Sequence, residues 1–221
     1  MQAVALKAVA AKSSVFARAE CARAATNTWK ALLHDKSLAD FTFLPNTPGA
    51  ASIPAHRAVL AAASPHFAQL FLVEGGGGPR LLRTDRSPAA IEIVLELVYT
   101  GDCADQAALR THAEELILAG GEWGLDAVRS LGVKHCIAKL GLPTFKQLLV
   151  LAETQDVPEL REHVHAFARA NGGAVLASAD LVPLQREYPA LFNELSSRLN
   201  AYLKPGINIE PISLSKLSVV R

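Results

Sequence analysis

Two Ser-Pro pairs, Ser64-Pro65 and Ser87-Pro88, constrain this chain more than any other feature of its sequence. A proline ring fixes φ near the helical value and lacks an N–H, a loss that only the first helical turn tolerates. A serine just before it accepts hydrogen bonds from the amides that turn leaves free. Each pair therefore opens a helix. The apolar residues that follow, Phe67, Leu70 and Phe71 behind the first and Ile91, Val94, Leu95 and Val98 behind the second, are spaced for one buried helical face. The second of these helices stops at Thr100-Gly101. Upstream, Phe41 and Phe43 flank Thr42 in strict alternation, the run P-N-T-P-G from Pro45 to Gly49 supplies a turn, and a short extended run to Ile53 completes a β-hairpin. The run A-V-L-A-A-A after His56 predicts a helix ended by Ser64-Pro65, and Leu81-Leu82 predicts a third strand. Trp29, Leu32 and Leu33 fall at i, i+3 and i+4 on a helix from near Ala24 to His34 or Lys36.

From Gln106 onward every segment reads as helix. Leu109 to Leu118 is stopped by Gly120-Gly121, and Leu125 to Leu140 turns Val128 and Cys136 inward. Phe145, Leu148, Leu149 and Ala152 make the next face, Leu160, Val164 and Phe167 another, and a last pair surrounds Leu181–Leu184 and Pro189–Leu199. The order helix, hairpin, helical hairpin, strand and then helices alone predicts an α+β module followed by an all-helical extension. The expected organisation is a basic, alanine-rich extension over 1–25, the α+β module over 26–140, the helical extension over 141–200 and a loose tail over 201–221. Residues 1–25 carry Lys7, Lys12, Arg18 and Arg23 against Glu20 alone, which fits an organelle transit peptide or an extension of the first helix.

Lys plus Arg numbers 22 against 21 for Asp plus Glu, so no net field gathers a polyanion such as DNA. No apolar run reaches the roughly 18 residues of a membrane span. Cys21, Cys103 and Cys136 stand too far apart for a zinc knuckle or a disulfide framework, which fits a reducing compartment. His56 has no motif-placed partner for metal or base chemistry and reads as a packed, hydrogen-bonded histidine. His163 and His165 are two apart and diverge on a helix, Cys136 beside His135 falls on an apolar face, and Ser64 is a cap rather than a nucleophile. Gly75 to Gly78 lacks the Lys-Ser/Thr ending of a phosphate loop. Catalytic residues, metal ligands and cofactor sites are therefore not expected, and neither is nucleic acid or a membrane as partner.

Three blocks together resemble the BTB/POZ domain: D-F-T-F at Asp40–Phe43, P-A-H-R-A-V-L-A-A-A-S-P-H-F at Pro54–Phe67 and I-E-I-V-L-E-L-V-Y-T-G at Ile91–Gly101. L-L-V-L-A-E at Leu148–Glu153, P-E-L-R at Pro158–Arg161 and Y-P-A-L-F at Tyr188–Phe192 resemble the BACK-type helical extension of speckle-type adaptors. The resemblance implies a small β-sheet packed with helices, and a non-enzymatic, homodimerising interaction module of the cytoplasm or nucleus. It further implies a substrate adaptor of a cullin-3 ubiquitin ligase or, alternatively, a dimerisation scaffold or transcriptional co-regulator. It assigns Trp29, Leu32 and Leu33 to the dimer interface. Asp40 and Arg57 become a charged pair near that interface, either structural or lining a corepressor groove. Leu72, Val73 and Glu74 fit the hydrophobic-x-Glu signature of a cullin contact. The protein target is not specified.

Overall fold

The structure is a computed structural model that describes residues 20, 23–72, 80–179 and 181–202. Residues 1–19, 21–22, 73–79, 180 and 203–221 lie outside the described residues, and with them most of the expected N-terminal extension, the glycine run and most of the tail. The chain divides into two compact units, residues 1–135 and 136–221.

The first unit opens with α1, helical over 23–34. Strand β1 (Phe41–Pro45) pairs antiparallel with β2 (Ile53–Ala55) and parallel with β3 (Leu81–Thr84), giving the sheet order β2-β1-β3. Helices α2 (Arg57–Ala63) and α3 (Pro65–Phe71) occupy the crossover between β2 and β3. They are followed by α4 (Pro88–Thr100), α5 (Gln106–Thr111), α6 (Ala113–Glu122) and α7 (Asp126–Ala138). This is the expected α+β class. Ser64 accepts from the amides of His66 and Phe67 at 3.1 and 3.3 Å, while its own hydroxyl donates to the carbonyl of Trp123. Ser87 accepts from the Ala90 amide at 3.2 Å, and Gly101, at φ 75°, closes α4 in the left-handed region.

Alternation along β1 turns Phe41 and Phe43 inward, where they meet Phe67 and Phe71 of α3 and Trp123. The ring centroids of Phe41 and Phe71 lie 5.0 Å apart, as do those of Phe43 and Trp123. Such pairs add about 0.5–1.5 kcal/mol each beyond the area they bury.

The expected helix stop at Gly120-Gly121 does not occur. The break comes earlier, at His112, and α6 runs through both glycines to Glu122. A Cβ on Gly120 would stand 2.6 Å from the amide nitrogen of Arg129, and one on Gly132 would stand 2.7 Å from the carbonyl of Ala113. The glycines let α6 and α7 approach at backbone distance, and that tertiary demand outweighs their poor helix propensity.

The second unit contains α8 (Leu142–Thr154), α9 (Pro158–Ala170), α10 (Gly172–Leu176), α11 (Leu181–Glu187) and α12 (Pro189–Tyr202). Phe145, Leu148, Leu149, Leu160, Val164, Leu184, Leu195 and Leu199 are buried in it. The short α10 has no counterpart in the sequence reading. Glu153 joins α8 to α9 by accepting from Arg161 Nε at 2.9 Å and lying 3.1 Å from His165 Nε2, and Arg161 also reaches Asp156 at 2.8 Å. Asp156 and Glu153 hold the guanidinium of Arg161 above its ordinary pKa. Among the described residues no helix is long and apolar enough to cross a membrane.

Candidate functional site

Two exposed regions of the first unit concentrate the residues that the sequence singles out. On α1 the apolar stripe is divided. Leu32 and Leu33 are half-buried against the unit's own core, whereas Trp29 keeps 45% of its surface exposed. Beside it lies a cleft of about 550 Å³ whose apolar floor includes Leu33, Ile53 and Leu95, with Lys30 on the α1 wall and Glu92 and Glu96 on the α4 wall.

The second region is the junction of β1, α2 and α3. The exposed carboxylate of Asp40 accepts the backbone N–H of Arg57 at 2.8 Å, at the first residue of α2. His56, the residue at the cap position, supplies no side-chain cap, so the strand supplies one from outside the helix. The guanidinium of Arg57 turns elsewhere. Nη2 donates to the Phe71 carbonyl at 3.1 Å, and Cζ stands 4.7 Å from the Phe71 ring centroid. The expected charged pair is therefore corrected: no Asp40–Arg57 ion pair within 4.0 Å exists, because a free helical amide and a free helical carbonyl offer each charge a partner of its own.

Just inside this junction, buried His56 donates its backbone N–H to the Tyr99 hydroxyl oxygen at 2.9 Å, and its Nδ1 lies 2.7 Å from the same atom. The oxygen accepts from the amide, and its own hydroxyl proton can serve Nδ1, so one group ties both the backbone and the ring of His56. Burial, with the Asp40 charge adding to it, raises the Tyr99 pKa and keeps this donor protonated. His56 is thus a packed, hydrogen-bonded histidine, as the sequence reading expects.

At the end of α3, Leu72 donates its amide to the Ala68 carbonyl at 3.1 Å and leaves 79% of its surface in solvent. Val73 and Glu74 lie outside the described residues. The remaining candidates are accounted for locally. His163 Nδ1 lies 2.9 Å from the Glu159 carbonyl, and Cys103 and Cys136 are buried and form no disulfide among the described residues. Burial, together with the neighbouring Glu96, pushes the Cys103 thiol up to about 11. Among the described residues no group of three or more His, Cys, Asp or Glu side chains is placed to hold a metal ion.

A three-stranded sheet with one parallel edge, capped by a two-helix crossover and a helical layer, coincides with a match of the BTB/POZ domain family to residues 29–140. The chain belongs to the BTB/POZ family. TD and POZ domain-containing protein 5 of Mus musculus is 24% identical to it over 140 residues, which is 62% of this chain and 41% of that protein. The match thus spans about two fifths of the curated relative's length. BTB/POZ domains are protein-interaction and dimerisation modules, and this chain is a protein-interaction module.

Sequence reasoning missed three partners within the BTB/POZ fold: Tyr99 for His56, Trp123 for Ser64 and Glu115 for Ser87. Glu115 accepts the Ser87 amide at 2.6 Å and the Ser87 hydroxyl at 2.9 Å. Burial alone would raise the Glu115 pKa, but these bonds and His112 hold it low. Nothing in the spacing signals these pairs, since 28 residues separate Ser87 from Glu115 and 59 separate Ser64 from Trp123.

Proposed function

We propose that this BTB/POZ protein is a non-catalytic homodimer that serves as an adaptor, bringing a protein target to a cullin-3 ubiquitin ligase in the cytoplasm or nucleus. Leu72 carries the reading. A large apolar side chain that leaves 79% of its surface in water, immediately after a helix that buries Phe67 and Phe71, is a contact awaiting a partner. Two features stiffen the backbone that presents it: the Ser64 cap at one end of α3 and the Arg57 guanidinium on the Phe71 carbonyl at the other. Leu72-Val73-Glu74 also fits the signature of cullin-binding family members. Residues 141–200 act as a BACK-like extension in this reading, and the exposed Trp29 of α1 serves the dimer contact. The four glycines at 75–78 depart from the acidic, polar continuation of that signature and favour the second reading, a dimerisation scaffold or co-regulator without ligase function.

Titration of the intact chain with the amino-terminal domain of cullin-3 decides between them. Burying one leucine contributes about 1.5–3 kcal/mol, so Leu72→Asp is expected to weaken binding at least tenfold with its melting temperature unchanged. An absence of wild-type binding at tens of micromolar removes the adaptor reading and leaves the scaffold.

A further inference from the structure

The two edges of the sheet are built differently. Edge strand β2 spans three residues and has Pro54 at its centre, opposite Thr42, so its outward side lacks a donor there. Edge strand β3 carries no proline. Its register with β1 is fixed by the pairs Thr42↔Leu81, Phe43↔Leu82, Leu44↔Arg83 and Pro45↔Thr84. The Thr42 amide donates to the Arg80 carbonyl at 2.9 Å, and the Asn46 amide donates to the Thr84 carbonyl at 2.8 Å. In a parallel ladder each strand bonds through alternate residues. The even-numbered residues of β3 therefore face β1, and the N–H and C=O groups of Leu81 and Arg83 face away from it.

Side-chain alternation adds chemistry to that edge. Thr84 is buried and Leu82 half-buried, whereas Leu81 is 45% exposed and Arg83 is exposed two residues along on the same outer face. Arg80, also exposed, precedes the strand, and neither Arg80 nor Arg83 forms an ion pair among the described residues. An outward amide pair, an exposed leucine and two exposed guanidiniums thus lie within four residues.

We infer that the outer edge of β3 takes an extended, acidic peptide segment as a fourth strand, with an apolar residue against Leu81 and a carboxylate, two positions away on the same face, against Arg83. Main-chain bonds to Leu81 and Arg83 supply the affinity, and the alternating side chains set the choice of partner. The guanidiniums select carboxylates because planar two-donor recognition is what arginine does well. They also oppose pairing of this edge with the same edge of a second copy, which would bring arginines together. This inference is independent of any contact made by Leu72.

The probe is a fluorescein-labelled peptide, Ser-Val-Thr-Glu-Thr-Val-Thr-Glu-Ser, titrated into the full chain by anisotropy, with amide chemical shifts followed in parallel. Saturable binding is expected, with the largest shifts at the Leu81 and Arg83 amides. Replacing both peptide glutamates by glutamine is expected to weaken it several-fold. The variant Arg83→Pro, which deletes one outward donor and one charge, is expected to weaken binding at least tenfold. Should that variant fail to fold, a peptide with backbone N-methyl groups at every valine, threonine and glutamate removes the peptide's donors whichever way the strand runs and is expected not to bind the unaltered protein. Unmoved Leu81 and Arg83 amides at about 1 mM peptide, or undiminished binding of the N-methylated peptide, would overturn the inference.

Discussion

At the junction of β1 and α2 one carboxylate and one guanidinium stand close in the fold yet serve different helix ends. Asp40 caps α2 through a backbone amide that any residue at position 57 still provides, and Arg57 binds the carbonyl end of α3. Asp40→Ala is therefore expected to cost about 1 kcal/mol, the typical value of a helix cap. In a double-mutant cycle with Arg57→Gln the two losses are expected to add within about 0.5 kcal/mol, since neither removes the other's partner. Thermal melts of the four proteins measure this, and a coupling well above that value would restore a direct charge pair. Cys103 gives the second prediction at this scale. Its thiol titrates near 11 in the fold against an ordinary value of 9.0. The unfolded chain ionises first, so the stabilisation from the protonated thiol is complete below about pH 9 and fades as pH climbs toward about 11. Melting curves across that interval should fall less steeply for Cys103→Ala than for the parent chain. Residue types and short spacings made Ser64, Ser87 and His56 legible in the sequence. Whether Asp40 meets the side chain or the backbone of Arg57 was not, because that depends on which helix ends the fold brings together.

Helices and strands were legible wherever periodicity and caps agreed. Pro65 and Pro88 open α3 and α4, Gly101 closes α4, and Phe41 with Phe43 marks β1. Gly120-Gly121 misled because a glycine admitted for close packing and a glycine admitted for termination look alike in sequence. The two meanings predict opposite responses to alanine. At Gly132 the added methyl would meet the Ala113 carbonyl at 2.7 Å, and about 1–3 kcal/mol of overpacking is expected. Gly121 has nothing within 4 Å of its would-be Cβ, so Gly121→Ala is expected to stabilise α6 by about 0.5–1 kcal/mol. A pair of melting temperatures moving in opposite directions checks both. If Gly132→Ala melts no lower than the parent, the close approach of α6 and α7 is not what keeps glycine there.

For the molecule as a whole, the exposed Trp29 beside a half-buried Leu33 favours a two-chain assembly. Light scattering at micromolar concentration is expected to give twice the chain mass of 23.5 kDa, and Trp29→Asp is expected to return it to that value with the fold intact. Trp29 is the sharper probe, since Leu32 and Leu33 also pack against the chain's own core and their replacement is expected to cost stability as well. A parent chain that scatters as 23.5 kDa rules out the dimer.

The parallel pairing of β3 with β1 also sets an order of events. Thr42 must find Leu81, 39 residues away, whereas Phe43 finds Ile53 across a turn. Chain entropy delays the distant partner, and local contacts form before it. The β1–β2 hairpin and the α2–α3 pair can consolidate around Phe41, Phe67 and Phe71 before β3 docks, which makes the sheet's last-added strand also the one whose outer edge stays open. A nascent chain emerging from its amino end would therefore hold a two-stranded, half-covered core until residue 84 had been made, and its exposure to wrong partners during synthesis is set by how soon that short strand arrives.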